Sequence, residues 1–117
     1  MNRKVLGELG EQIASVFLQV KGFTIVAKNY RYARREIDLI ARRENVLAAV
    51  EVKLRRGNRF GEAVEAVDSR KIARLHIALE GFTRTFPEPV DPRIDLVVID
   101  LSSDSYEMRV RHIEGVY

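Results

Sequence analysis

The stretch from Arg35 to Arg56, REIDLIARRENVLAAVEVKLRR, restricts the fold more than any other part of the chain. Two apolar runs of strand length flank Glu44-Asn45, and each run carries acids that strand interiors ordinarily exclude. If those two residues form the turn, Arg43 faces Val46. Counting outward then sets Asp38 against Glu51 and Glu36 against Lys53. Side chains alternate between the faces of a strand, so Glu36, Asp38, Glu51 and Lys53 are expected on one side, and Ile37, Leu39, Val50 and Val52 on the other. Directly opposed residues have Cβ atoms about 4.5–5.5 Å apart, and like charges in that position are destabilising. The Asp38–Glu51 pair asks for a cation.

The flanking sequence supplies the layers around this hairpin. Leu6, Leu9, Ile13, Val16, Phe17 and Val20 recur at helical steps over residues 4–21, which predicts a helix that docks this stripe on a flat surface and ends at Lys21-Gly22. TIVAKNYR (24–31) reads as a strand. Residues 55–67, with Gly57, Asn58 and Gly61, read as a mobile connection. A second helix is expected from Asp68, a suitable N-cap, through Ile72, Leu75, Leu79, Phe82 and Phe86, with Gly81 a weak point inside it. Pro87, Pro89 and Pro92 then interrupt regular structure. IDLVVIDL (94–101) has the continuous apolar character of a buried strand, and YEMRVRHI (106–113) alternates as an edge strand does. The resulting order, αβββαββ, is that of an α/β fold with a mixed central sheet flanked by helices. At 117 residues and 46% hydrophobic content, one core and a single domain over residues 1–117 are expected.

Composition narrows the chemistry. There is no cysteine, so neither disulfides nor a thiolate metal site can form, which fits a reducing compartment. The two histidines, His76 and His112, are not at zinc-ligand spacing, so any metal would be held by oxygen. No apolar run approaches the roughly 20 residues of a membrane span, and MNRKVLGELGEQ lacks the apolar core of a signal peptide. A cytoplasmic protein without membrane contact is expected. The net charge is only +3, but Arg31, Arg34, Arg35, Arg42, Arg43, Lys53, Arg55, Arg56, Arg59, Arg70, Lys71 and Arg74 crowd the middle of the chain. Such a zone is the footprint of a phosphate-rich partner, although charge alone is explained equally well by a solvated face.

Mg²⁺ prefers oxygen ligands and is commonly held by one or two carboxylates plus a substrate phosphate, so facing carboxylates at Asp38 and Glu51 suit it. Lys53, on the same face, could orient a water or offset charge on a phosphate. On spacing alone a plainer account is the stronger: a hairpin with one charged face, Glu36 paired with Lys53, and an acid paired with Arg42.

Further residues shift that balance. Asp38 followed by Glu51-Val52-Lys53 on the next strand resembles the PD-(D/E)xK nuclease superfamily. GELGEQIASVFLQVKGFTIVAKNYR, REIDLIARR, VEVKLRR, EAVDSRKIARL and RIDLVVID together resemble the YraN family of small predicted endonucleases across nearly the whole chain, with Holliday-junction resolvases as the nearest relatives in the superfamily. The resemblance implies a restriction-endonuclease-like fold and a metal-dependent phosphodiesterase acting on DNA, including branched DNA. It implies Asp38 and Glu51 as ligands of Mg²⁺ or Mn²⁺, the Val52 carbonyl completing the coordination, Lys53 as the catalytic lysine, and Glu11 of the first helix as an accessory acid. Ile37 stands where the superfamily's name has proline, a position that varies among its members.

Arg55, Arg56 and Arg59 then become a phosphate clamp beside the site, joined by Arg31, Arg34, Arg35 and Lys71. Tyr30 and Tyr32 are either base-stacking residues or half-buried strand-end tyrosines. A two-fold dimer would let so small a chain cut two strands, and no small-molecule cofactor is expected. The rival from another class is a nucleic-acid-binding adaptor that keeps the fold and does not cleave.

Overall fold

A computed structural model describes residues 2–57, 68–102 and 106–116. Its elements are α1 (Arg3–Val20), β1 (Thr24–Tyr32), β2 (Arg35–Arg43), β3 (Val46–Arg56), α2 (Ser69–Thr83), β4 (Asp91–Leu101) and β5 (Met108–Ile113). The five strands lie in sequence order in one sheet. Neighbours run antiparallel except β3 and β4, which are parallel and are joined through α2. Parallel neighbours need such a crossover, whereas hairpins suffice elsewhere. The helices cover opposite faces: Ala14 and Leu18 of α1 pack with Leu39, Ala41, Ala48, Val50, Val97 and Ile99, while Leu75, Ala78 and Leu79 of α2 pack with Ile40, Leu47, Ala49 and Ile94. This mixed α/β architecture is consistent with a restriction-endonuclease-like core.

Local chemistry sets the boundaries. The Asn2 side chain accepts the Val5 N–H at 2.9 Å and caps α1, and Asp68 accepts the Lys71 N–H at 2.9 Å and caps α2. Past the end of α1, Gly22 adopts φ +95°, a conformation open chiefly to glycine. Ala33 and Arg34, at φ 47° and 70°, make the β1–β2 turn with the handedness that matches strand twist.

Three expectations are corrected. First, α1 docks chiefly through smaller residues beside the apolar stripe, of which Ile13 packs at the edge of the core. Its buried residues are Gly10, Ala14, Ser15 and Leu18, while Val16 and Val20 are 60% and 82% exposed. The cause is close approach to β3: a Cβ at Gly10 would stand 3.4 Å from Leu54 Cβ. The small residues therefore take the contact, and the larger ones turn toward β5, where Leu9, Ile13, Phe17, Met108 and Val110 lie beside them. Second, α2 stops at Thr83, and Phe86 instead packs beyond the helix end on Phe82 and under the Arg42 guanidinium. Third, Pro92 belongs to β4, at an opening position where proline is tolerated in strands. Of the expected 55–67 connection, Arg55 and Arg56 are the end of β3, and residues 58–67 lie outside the described residues.

Gly81 has a packing reason. A Cβ there would fall 2.6 Å from two ring carbons of Tyr32, so the tyrosine from the end of β1 fills the space beside the helix. Gly81→Ala gains helix propensity of about 1 kcal/mol but overpacks this contact at a cost of roughly 1–3 kcal/mol. We expect a lower urea midpoint for Gly81→Ala, and a raised one when the same change is made in a Tyr32→Ala background.

Candidate active site

The β2–β3 register is the one the turn dictates, with Arg43 facing Val46 and Leu39 facing Val50. Beyond that pair the ladder stops. The β1–β2 pairing continues to Tyr32–Arg35, and the β3–β4 pairing to Arg56–Leu101. The sheet thus forks between β2 and β3, with Asp38 and Glu51 at the base of the fork. Asp38 Oδ2 accepts the Val52 N–H at 2.9 Å, supplying the partner that the departing strand withholds. In a strand the N–H and C=O of one residue point the same way, so the Val52 carbonyl turns toward this opening too.

The fork corrects two sequence readings. Glu36 is carried away from Lys53 and lies 3.9 Å from Arg31 on the neighbouring strand. Ile37 joins the α2-side cluster, not the α1-side cluster that holds Leu39, Val50 and Val52. Arg42 does not reach the acids either, since its guanidinium grips Glu88 with two hydrogen bonds of 3.1 and 3.0 Å.

Four groups converge on the base of the fork. The Glu51 side chain is only 14% exposed, and Lys71 Nζ, from the first turn of α2, stands 3.3 Å from Oε2. That approach is not aligned as a hydrogen bond, and the buried Oε2 has no other donor. Burial, and next the charge of Asp38, push the Glu51 carboxyl up to about 7 from an ordinary 4.5. Glu11 arrives from α1 on the other face. Its carboxyl is also raised, first by burial and then by Asp38. Lys53 lies two residues beyond Glu51 and is exposed. Among the described residues no hydrogen bond or ion pair engages it.

Basic residues stand on both arms of the fork. Arg31, Arg34 and Arg35 lie at the β1–β2 turn; Arg31 is largely exposed, and Arg35 donates to the Ala33 carbonyl at 3.2 Å. On the other arm Arg56 is exposed, while Arg55 donates to Asp100 Oδ1 at 2.8 Å and is three-quarters buried. Arg59 falls outside the described residues. Tyr30 and Tyr32 pack against the α2-side core, Tyr30 edge-on to Phe82 at 5.0 Å, in the half-buried strand-end arrangement.

A second polar cluster escaped the sequence. Asp95 is fully buried. Arg93 donates to both its oxygens at 2.8 and 2.9 Å, His112 Nε2 lies 2.7 Å away, and the Gly115 N–H adds a bond of 3.1 Å. Lys21 Nζ, a donor only, stands 2.6 Å from His112 Nδ1, so that nitrogen accepts and the ring proton sits on Nε2. Asp95, His112 and Glu114 are close enough to share a metal, but cations already hold these acids, with Arg93 and Arg43 on Glu114. The cluster is a structural ion network. Burial alone would raise the Asp95 carboxyl, yet His112, Arg93 and the Gly115 N–H hold it below its ordinary value. Asp100, between Arg55 and Arg111, is held low in the same manner.

Comparison with known proteins adds a family. The profile described as "Uncharacterised protein family UPF0102" matches residues 10–99. A UPF0102 protein of Symbiobacterium thermophilum is 43% identical over 120 residues, covering 100% of this chain and 98% of its own. Another, from Roseiflexus castenholzii, is 36% identical, covering 95% and 91%, and one from Caldanaerobacter subterraneus is 37% identical, covering 100% and 98%.

The two acid environments predict opposite pH behaviour. A raised carboxyl favours the protonated folded state, so the contribution of Glu51 to stability falls as pH rises from 4.5 through about 7. Without metal, Glu51→Gln should be more stable than the wild type at pH 8, by on the order of 2–3 kcal/mol, and no more stable at pH 4 in urea titrations. Asp95 has a depressed value, so its contribution is present above 3.8 and is lost as pH falls through the folded value. Asp95→Asn should cost about 1.5–3 kcal/mol at pH 7. Its deficit should shrink when both proteins are unfolded at progressively lower pH below 3.8.

Proposed function

The chain belongs to the UPF0102 family, and on that premise we propose that it is a metal-dependent phosphodiesterase acting on DNA, with its active site at the fork. The observation that carries this reading is the burial of Glu51 beside Asp38, with only the Lys71 ammonium among the described residues, 3.3 Å from Oε2, set against their two charges. Two carboxylates brought together in a half-buried place cost stability, and a divalent cation would offset that cost. The donor set is oxygen only, which suits Mg²⁺ or Mn²⁺. Asp38 and Glu51 would hold the ion with the Val52 carbonyl beside them, and Glu11 stands close enough to Asp38 to feel its charge. Bound there, the ion would supply Lewis-acid stabilisation to a phosphate.

The chain's own residues supply the rest. Lys53, exposed and without a partner among the described residues, is available to orient a water and to offset charge developing on the phosphate. Lys71 neutralises part of the Glu51 charge before the metal arrives. Arg31, Arg34 and Arg35 on one arm, with Arg56 on the other, would hold backbone phosphates on either side of the scissile bond, while Arg55 is committed to Asp100. Because phosphate contacts position a duplex without reading bases, selectivity is expected for DNA shape, including branched or flapped substrates.

The test is cleavage of labelled single-stranded, duplex, flapped and four-way-junction DNA with Mn²⁺ and with EDTA. Cutting should require metal, and Lys53→Ala should lower the rate at least 100-fold, the scale of a lost transition-state electrostatic contact, while leaving DNA affinity within about twofold. Binding without cutting, equal in wild type and Lys53→Ala, would instead identify a non-catalytic nucleic-acid-binding adaptor.

A further inference from the structure

The two edges of the sheet differ. On β1 the pairing slips between Ile25 and Ala27, Asn29 takes φ +49°, and Ala27 and Tyr30, three residues apart, both pack on the α2 side, where an unbroken strand would alternate. Such irregularities blunt an edge against further strands. β5 shows none of them: its six residues pair with β4 in one unbroken register, and among the described residues no strand lies on its outer side. The Glu107 carbonyl accepts the Ser102 N–H at 2.9 Å in that same register, so Glu107 and Arg109 aim their backbone groups at β4, while Met108 and Val110 aim theirs outward. Beside this edge the larger residues of α1 stand off the sheet. Leu9, Ile13, Val16 and Phe17, with Met108 and Val110, line an apolar groove of about 470 Å³, and Tyr106, just before β5, is fully exposed.

We propose that this edge and groove form a two-fold interface with a second copy of the chain. Chain size alone points to a dimer; the β5 edge supplies its surface. In an antiparallel pair, opposed residues both aim their backbone groups at each other or both away, so in a β5–β5 pairing even residues meet even and odd meet odd. With Met108 on the axis, opposite its own copy, Glu107 faces the partner's Arg109, and Arg109 faces the partner's Glu107. Opposite charges then meet twice. The adjacent registers set Glu107 or Arg109 against its own copy, and like charges directly opposite are destabilising. The strand thus complements itself in one arrangement, as a two-fold contact requires. The axis stands normal to the sheet, which keeps both α1 helices on one face and lets the two grooves open toward each other. Tyr106 then lies opposite the partner's Val110, at the wall of the partner's groove, where it covers apolar surface that a single chain leaves exposed. The fork lies between β2 and β3 and stays open in both copies, so the interface does not depend on the metal reading.

The chain has no cysteine, so a single introduced one reports on the interface without interference. Opposed residues that aim at each other have Cα atoms about 5.5 Å apart, within the range a disulfide spans. Under mild oxidation Met108→Cys should form a covalent dimer, whereas Val26→Cys, exposed on the β1 edge, should stay monomeric. Sedimentation velocity on the cysteine-free chains tests the register. Arg109→Glu and Glu107→Arg should each weaken the dimer roughly 10-fold, because each sets like charges opposite each other twice, and the two changes together should restore it to within about threefold. Glu107 and Arg109 are exposed, so the urea midpoint should move little and separates a lost interface from a lost fold. Any of three results would overturn the proposal: a wild type that stays monomeric up to about 1 mM, a Met108→Cys chain that cross-links no better than Val26→Cys, or a double exchange that associates no better than either single reversal.

Discussion

The hydrogen bond from the Val52 N–H to Asp38 Oδ2 lets the sheet open without leaving that donor unpaired. A strand pair that separates early strands its donors and acceptors, and each one left unsatisfied out of water costs about 1–3 kcal/mol. Here a carboxylate takes over from the departing strand at 2.9 Å. One side chain thus ends the ladder and stands at the base of the opening it creates. The arms on either side remain regular because each has another neighbour: β2 keeps β1, and β3 keeps its parallel pairing with β4 to its last residue.

The fork also sorts the charges. Acids gather at its base, where the strands are still close and water is limited, and basic residues lie farther out along both arms. The Glu51 carboxyl, raised to about 7, shows what this arrangement costs, and Lys71 relieves only part of it. The contrast with Asp95 is instructive. Asp95 is buried more completely yet is held low, because Arg93, His112 and the Gly115 N–H take up its oxygens. The chain can fully satisfy a buried carboxylate and does so in the Asp95 network. At the fork it leaves Glu51 short of donors.

How much of this was legible in the sequence follows from the range of each interaction. A two-residue turn at Glu44-Asn45 fixes the register of everything counted outward from it, so the approach of Asp38 to Glu51 could be read directly. The Asp68 cap was equally local. The end of the ladder was not, because nothing in the spacing of Glu36, Asp38, Glu51 and Lys53 says where two strands part. The break in alternation at Asn29 and Asp38 was hidden for a related reason: the residue types on either side continue to look like strand. In α1 the apolar stripe was real but pointed to the wrong face, since the docked face is set by how closely Gly10 approaches Leu54. The partners of Asp95 come from Arg93, His112 and Gly115 on two segments, which no local pattern links.

Placing the site at the end of a hairpin solves a mechanical problem. On the proposed reading, the two carboxylates must be held close despite their repulsion and remain reachable by a substrate as bulky as a nucleic acid. The interior of a sheet meets the first need and defeats the second; a loop does the reverse. At the fork, Leu39–Val50 is the last rigid pair, so Asp38 and Glu51 are each one residue from a fully buried anchor. Their positions inherit the precision of the core, while the separating arms leave space beside them. The same geometry explains why residues from both faces can meet there. Glu11 and Lys71 belong to helices on opposite sides of the sheet, and only where two strands separate can both approach one pair of carboxylates.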